Sequence, residues 1–181
     1  MSNDFDDEKY ILPPADEILQ IDFTFTNGDK YKGEFMNQKK HGKGLYTFKS
    51  GDSYNGDFVE GLFHGNGTYV YANGDRYSGE FENGLKNGHG TFYFKNGDVY
   101  EGNFTEGLFD GKGCYKYKNG EIYDGNFEEG NYSGEGNYFY KNGDNFEGNW
   151  RGNVKEGPEK YRFKDQKYIT GHWEEDIYVN D

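Results

Sequence analysis

Four histidines, one cysteine and thirty-three carboxylates are the side chains most able to do chemistry in this 181-residue chain. Cys114 would be a nucleophile only with a base beside it, and no histidine stands at a suitable spacing to activate it. His41 and His64 lie 23 residues apart, and the same step then meets Asn87, Asp110 and Ser133, so no ligand set for a metal accumulates. Asp52, Asp75, Asp98, Glu121 and Asp144 repeat on that step as a ladder of carboxylates, each beside an Asn-Gly pair or a near copy of one. Oxygen-rich turns can bind calcium. Successive hairpins would hold these carboxylates about 9–10 Å apart, too far to share an ion, so turn chemistry explains them better. Gly-x-Gly recurs without the strand–helix context or the Lys-Ser/Thr ending of a phosphate loop. These readings predict no catalytic residue, no cofactor and no metal: the chain reads as a non-enzyme.

The elements that carry these residues are defined by a strict period. Tyr31-Lys-Gly33-Glu-Phe35 returns at Tyr54, Tyr77, Tyr100 and Tyr123, then as Phe146-Glu-Gly148-Asn-Trp150 and Ile169-Thr-Gly171-His-Trp173, always 23 residues on. A second cluster, Gly42-x-Gly44-x-Tyr46-x-Phe48, keeps the same step through Gly65, Gly88, Gly111 and Gly134. Both clusters alternate with period two, which predicts strands. The Asn-Gly runs between them predict hairpins. A three-residue loop such as Lys95-Asn96-Gly97, with its glycine in the left-handed region, would pair Phe92 with Tyr100 and put all rings on one face. Gly51, Gly74, Gly97, Gly120 and Gly143 are the corresponding turn glycines. If Tyr31 lies across from Phe48, Gly33 faces Tyr46 and Phe35 faces Gly44, so that each ring covers a glycine. The glycine-rich stretches around Gly42 and Gly65 would form the second turn of each unit. Leu62, Leu85, Leu108 and Val154 would line a thin apolar seam.

Composition agrees with a repeat array rather than a globular core. Aromatics are 20% of the chain but all hydrophobic types only 32%, alongside 29 glycines. A net charge of −13 disfavours nucleic acid and anionic membranes, which need a basic footprint. The sequence shows no spanning apolar run and no secretory leader, and a lone cysteine suits a reducing compartment. The expected setting is cytoplasmic.

The pattern Y-x-G-x-[FW]-x-x-G-x-x-x-G-x-G-x-[YF]-x-[YF]-x-N-G-D resembles the MORN repeat. That resemblance implies an all-β fold: an elongated single-layer antiparallel sheet of stacked β-hairpins, a solenoid-like twisted rod. Its organisation would be an acidic N-terminal extension (1–20), a MORN-repeat array (21–173) and an acidic tail (174–181). The array would divide into a partial leading unit (21–30), regular repeats (31–145), a degenerate repeat (146–168) and a partial terminal unit (169–173). The degenerate repeat is similar to the last repeat of ciliary radial spoke head proteins. The resemblance implies a protein-interaction scaffold, a structural subunit of a cytoskeletal assembly such as the radial spoke of the ciliary axoneme in cilium or flagellum.

A single layer cannot bury both faces, and contiguous open aromatic surface marks an interaction site. The candidate partner-binding face is Tyr46, Phe48, Tyr69, Tyr71, Phe92, Phe94, Tyr115, Tyr117, Tyr138 and Tyr140. It would take a helical or extended segment of another protein, axonemal spoke components among them. The competing reading is a lipid tether. It rests on Lys30, Lys32, Lys39, Lys40, His41 and Lys43, and on Lys155, Lys160, Arg162, Lys164 and Lys167; interspersed acids and the net charge weigh against direct membrane binding. Residues 1–20 are open to three readings: disordered, capping the first hairpin, or docked on a partner, with Asp16 to Leu19 able to form one helical turn after Pro13 and Pro14. Ile177 and Tyr178 would cover the last strand edge, and exposed edges favour a homodimer through the array ends.

Overall fold

A two-residue turn with both φ angles positive suits the right-handed twist of the strands it joins, and this chain makes that turn once per repeat. In the computed structural model, which describes residues 16–179, Glu60 and Gly61 have φ of +52° and +86°, Glu106 and Gly107 +49° and +92°. Asn37-Gln38, Asn83-Gly84, Glu129-Gly130, Gly152-Asn153 and Glu175-Asp176 repeat the arrangement. The second turn is therefore not at Gly42 and Gly65 as expected. Those glycines lie inside strands, at φ of +52° and +54°, where they form bulges.

The chain separates into two units, Met1–Leu85 and Lys86–Asp181. The first holds β1 (Leu19–Thr24), β2 (Lys30–Met36), β3 (Lys39–Thr47), β4 (Ser53–Val59), β5 (Leu62–Val70) and β6 (Arg76–Glu82). β7 (Leu85–Tyr93) starts at the boundary residue Leu85 and otherwise lies in the second. There it is followed by β8 (Val99–Thr105), β9 (Leu108–Lys116), β10 (Ile122–Glu128), β11 (Asn131–Phe139), β12 (Asn145–Arg151), β13 (Val154–Arg162), β14 (Tyr168–Glu174) and β15 (Ile177–Val179). Within each unit the strands pair antiparallel in chain order, a single layer of successive hairpins. The described residues contain no helix. Residues 16–18 make no helical turn, and Leu19 is already paired with Phe35. Asp4 to Glu8 and Ile11 to Pro14 lie outside the described residues.

The Asn-Gly loops close with three residues, as their sequence requires. Phe94 N donates to Asp98 O at 3.0 Å, Gly97 N donates to Phe94 O at 2.9 Å, and Phe92 pairs with Tyr100. Gly51, Gly74, Gly97, Gly120 and Gly143 all have φ between +92° and +100°. Asn96 secures the loop by accepting from Asp98 N at 2.9 Å and donating to the Asp98 carboxylate at 2.8 Å.

The register across the other turn differs from the expected one. Tyr31 pairs with Tyr46 rather than Phe48, and Gly33 with Gly44. Beyond this glycine pair the ladder skips two residues: Gly56 faces Gly67, but Asp57 faces His64, leaving Gly65 and Asn66 in the bulge. The bulge frees backbone carbonyls that must find donors. The tyrosine hydroxyl supplies them. Tyr54 Oη donates to Asp57 O at 2.9 Å and lies 3.2 Å from His64 O, and Tyr100 Oη donates to Asn103 O at 2.8 Å. To reach the bulge, the ring must lie flat over both glycines of its own hairpin. Each ring does cover glycine, but through its hydroxyl's reach along the strand and not through the expected cross-strand pair.

The core is built from this one face. Tyr31, Tyr54, Tyr77, Tyr100, Tyr123 and Phe146 are fully buried. Tyr54, Tyr77, Tyr100, Tyr123 and Phe146 are each flanked edge-on by the ring four residues later, as Tyr54 by Phe58 at 5.1 Å and Tyr123 by Phe127 at 5.2 Å. Within each unit rings of successive repeats also meet, as Tyr54 meets Phe81 at 5.0 Å and Tyr123 meets Trp150 at 5.4 Å. The opposite face is polar, with Lys32–Asp22 (3.3 Å) and Lys43–Asp57 (2.5 Å) among its ion pairs. Leu62, Leu85 and Leu108 are each about half exposed. At the C-terminus Tyr178 pairs with Trp173 and lays its ring over Gly171, covering the last strand as expected.

Candidate protein-docking groove

The ten candidate rings fall, within each unit, into two rows on the ring-bearing face. Tyr46, Tyr69, Phe92, Tyr115 and Tyr138 stand at the inner position of β3, β5, β7, β9 and β11; Phe48, Tyr71, Phe94, Tyr117 and Tyr140 follow just beyond, at the loops. Phe92 is buried and the other nine are half-buried, in contrast to the fully covered tyrosines of the preceding strands. Within each unit the rows interlock as a zigzag. In the first, Tyr46–Phe48, Phe48–Tyr69 and Tyr69–Tyr71 centroids are 4.7, 5.9 and 4.5 Å apart. In the second the chain of contacts runs through Phe94–Tyr115 (5.6 Å), Tyr115–Tyr117 (4.6 Å), Tyr117–Tyr138 (6.1 Å) and Tyr138–Tyr140 (4.8 Å).

The carboxylate ladder holds these rows in place. Asp98 accepts from Tyr115 Oη at 3.0 Å and from Lys118 N at 2.8 Å, both in the next repeat, in addition to Asn96. Asp29 does the same with Tyr46 Oη (2.7 Å) and Lys49 N (2.8 Å), Asp144 with Tyr161 Oη (2.8 Å) and Lys164 N (2.9 Å), and Glu121 with Tyr138 Oη at 2.9 Å. Turn chemistry accounts for only half of this arrangement; Asp29, Asp52, Asp98, Glu121 and Asp144 are also latches between repeats. The Lys49 amide and then the Tyr46 hydroxyl hold Asp29 below the usual carboxylate range. At Asp98 burial works in the other direction, but the Lys118 amide, Asn96 and Tyr115 outweigh it. A depressed folded-state value means that the latch stabilises above the unfolded pKa near 4 and loses that contribution as pH falls through the folded value. Asp98→Ala is expected to cost about 1–2 kcal/mol in urea unfolding at neutral pH, allowing for solvent screening. The gap from the parent should narrow below about pH 4.

A second set of groove residues escaped the sequence reading. Positions 40, 63, 86, 109, 132 and 155 read Lys, Phe, Lys, Phe, Tyr, Lys at the 23-residue step. The aromatic members stack face to face on the buried tyrosines: Tyr54–Phe63 at 3.9 Å, Tyr100–Phe109 at 3.8 Å and Tyr123–Tyr132 at 3.6 Å. The lysines set their ammonium groups over rings instead, Lys40 at 4.6 Å from Tyr46, Lys86 at 4.9 Å from Phe92 and Lys155 at 5.1 Å from Trp173. Burial pushes the Lys40 and Lys86 amines down. The period was readable at these positions, but the mixture of Lys with Phe and Tyr concealed their shared role.

Between the rows the surface is concave. In the second unit a groove of about 540 Å³ is lined by Tyr115, Tyr117, Tyr132, Tyr138, Tyr140 and Trp150, with Lys155 and Asp176 at one side. In the first, a cavity of about 180 Å³ lies among Lys40, Tyr46, Phe48, Leu62 and Phe63. The polar face of the second unit has a wider concavity of about 710 Å³ between Glu135, Glu147, Lys160 and His172. Among the described residues no three His, Cys, Asp or Glu side chains converge to hold a metal. Cys114 is half-buried opposite Glu101 and Asp124, and burial raises its thiol pKa, the reverse of what a nucleophile needs. The basic clusters are dispersed: Lys32, Lys43 and Lys39 pair with Asp22, Asp57 and Glu60, Lys155 with Asp176 (3.5 Å) and Lys167 with Asp165 (2.9 Å).

A one-face aromatic sheet repeating every 23 residues defines a class of interaction array. The MORN repeat model matches six consecutive segments, 31–53, 54–76, 77–99, 100–122, 123–145 and 146–167. The chain belongs to the MORN-repeat family. Among curated proteins, none matches it. Of solved structures, the SAS-4 (dCPAP) TCP domain of Drosophila melanogaster, in complex with a proline-rich motif of Ana2 (dSTIL), is similar with a TM-score of 0.55. It shares 13% identity, over 86% of this chain and 90% of that one. The TCP10c domain of Drosophila melanogaster Sas-4 is similar with a TM-score of 0.50 at 12% identity, over 87% of this chain and all of that one. At such identities the likeness is one of fold.

Proposed function

We propose that this protein is a non-catalytic scaffold that binds a segment of another protein along its half-buried aromatic rows, as a structural subunit of a cytoskeletal assembly. The observation that carries this reading is the contrast between two sets of rings. Those over the glycine pairs are completely buried, whereas those of the candidate rows other than Phe92 are only half-buried, and Tyr115, Tyr117, Tyr138 and Tyr140 line a groove of about 540 Å³. Aromatic anchors in a concave site, with the Tyr115 and Tyr138 hydroxyls fixed by Asp98 and Glu121, offer rigid contact area at low entropic cost. The SAS-4 domain, similar in fold, is seen with a proline-rich motif, which supports an extended segment as the ligand. The axonemal radial spoke remains the particular assembly suggested by the resemblance of the last repeat.

Tyr140 provides the test, because its ring lies at the groove and its hydroxyl makes no hydrogen bond among the described residues. Its packing partners are Tyr138 at 4.8 Å and Tyr161 at 5.7 Å. Tyr140→Ser is expected to lower stability by about 1–2 kcal/mol, and to weaken partner capture from a native extract roughly tenfold or more. Capture is read by cross-linking mass spectrometry with the folded variant as bait. Undiminished capture would rule out this face.

A further inference from the structure

The cavity at Lys40 lacks something that its counterpart in the second unit possesses. Lys155 occupies the equivalent position five repeats later, and its ammonium pairs at 3.5 Å with Asp176, which also accepts from Lys155 N at 3.0 Å. The residue equivalent to Asp176 beside Lys40 is Gly61. The same backbone bond is made, Gly61 N to Lys40 O at 2.9 Å, but no carboxylate comes with it. Lys40 makes no ion pair within 4 Å among the described residues. The nearby acids are engaged elsewhere: Glu60 with Lys39, and Asp29 with Tyr46, Asn27 and the Lys49 amide. Burial lowers the Lys40 pKa while Asp29 opposes the effect from a distance, so the ammonium is poorly compensated. In place of the carboxylate there is an open space of about 180 Å³ walled by Tyr46, Phe48, Leu62 and Phe63.

We propose that this cavity binds one carboxylate together with an apolar side chain, and that its occupant is this chain's own segment from Asp4 to Leu12. That segment reads Asp-Phe-Asp-Asp-Glu-Lys-Tyr-Ile-Leu, four carboxylates with four apolar or aromatic residues. Its charge complements Lys40, and its rings and branched side chains suit the cavity walls. Its point of departure is close by. Asp16 N donates to Asn37 Oδ1 at 3.1 Å and Asn37 Nδ2 donates to Asp16 Oδ1 at 3.2 Å, three residues along the chain from Lys40. An extended stretch from Asp16 back to Glu8 spans up to about 26 Å, against roughly 10 Å from Asn37 to Lys40 along the strand. The segment would therefore occupy part of the docking surface proposed above, a reading on which this inference rests.

The experiment uses the full chain with Cys114→Ser and a nitroxide attached at Ser2→Cys, read by paramagnetic broadening of assigned ring resonances. Tyr46, Phe48 and Phe63 should broaden, and the broadening should persist when labelled protein is diluted into unlabelled. Neutralising the four acids together (Asp4→Asn, Asp6→Asn, Asp7→Asn, Glu8→Gln) should lower the bound-to-free ratio roughly tenfold, as loss of a charge-assisted hydrogen bond does. Lys40→Met should act alike, and Lys40→Gln serves as a second variant in case the methionine fills the cavity itself. Sharp ring signals in the parent, broadening that disappears on dilution, or broadening that survives both neutralisations would each overturn the proposal. Partner capture by the Tyr140→Ser pair is scored separately, so that an empty Lys40 cavity with intact capture rejects only the self-occupancy.

Discussion

Gly113→Ala should destabilise the protein by about 3–5 kcal/mol, combining overpacking with loss of the part-buried hydrogen bond from Tyr100 Oη to Asn103 O. A Cβ at this position would sit 2.5 Å from Tyr100 Oη and 2.6 Å from the ring edge. The ring has nowhere to go. Phe109 stacks on it at 3.8 Å, Phe104 and Phe127 abut it edge-on at 5.2 and 4.9 Å, and its hydroxyl is bound to Asn103 O. Such a loss is a large share of the total for a domain. Gly120→Ala is the control: its φ is +95° with nothing within 4 Å of a new Cβ, so only left-handed strain of about 1–2 kcal/mol is expected. In a Tyr100→Ala background the Gly113→Ala cost should fall below about 1 kcal/mol, a coupling measurable by urea unfolding of the four proteins in the cycle. Equal costs at Gly113 and Gly120 would show that the ring does not rest on the glycine.

The second large effect is alkaline unfolding. Burial raises the phenols of Tyr31, Tyr54, Tyr77 and Tyr123, with Tyr31 pushed up to about 12 and the others raised as well. A folded value above the unfolded one means the stabilisation is complete below about pH 10 and declines as pH rises through the folded value. Each such phenol loses about 1.4 kcal/mol per pH unit above 10. Three of the four lie in the first unit, which should therefore unfold within one to two pH units of that point. Tyrosinate absorbance and far-ultraviolet circular dichroism are expected to change together. A gradual tyrosinate titration around pH 10 with unchanged dichroism would contradict the burial of these rings. The acid limb has its own cause, the latches at Asp29, Asp98 and Asp144, whose folded values are depressed.

Tyr31-x-Gly33-x-Phe35 and its copies were legible as strands because a period of two is a local property of the backbone. The Lys95-Asn96-Gly97 loop was legible because only glycine adopts a φ near +100° without cost. Gly42 and Gly65 were misplaced because positive φ serves turns and bulges equally, and composition does not separate the two. The true turn at Glu60-Gly61 places a glutamate at φ +52°, which residue preferences do not announce. Register failed with it: the pairing of Gly33 with Gly44 follows from the bulge, and the bulge depends on a hydroxyl that arrives from the neighbouring strand.

The amino-acid sequence by itself determined the 23-residue unit, the face shared by the rings and the loops that set their phase. Those depend on side-chain alternation and backbone freedom, which each residue carries wherever it is placed. Only the tertiary structure decided which rings close over glycine and which stay open, because burial depends on what the next repeat brings. It also decided that the turn carboxylates bind the following hairpin, and that Lys155 has an aspartate at hand where Lys40 has Gly61. Contacts of that kind join residues some twenty positions apart, and they exist only once neighbouring hairpins have stacked.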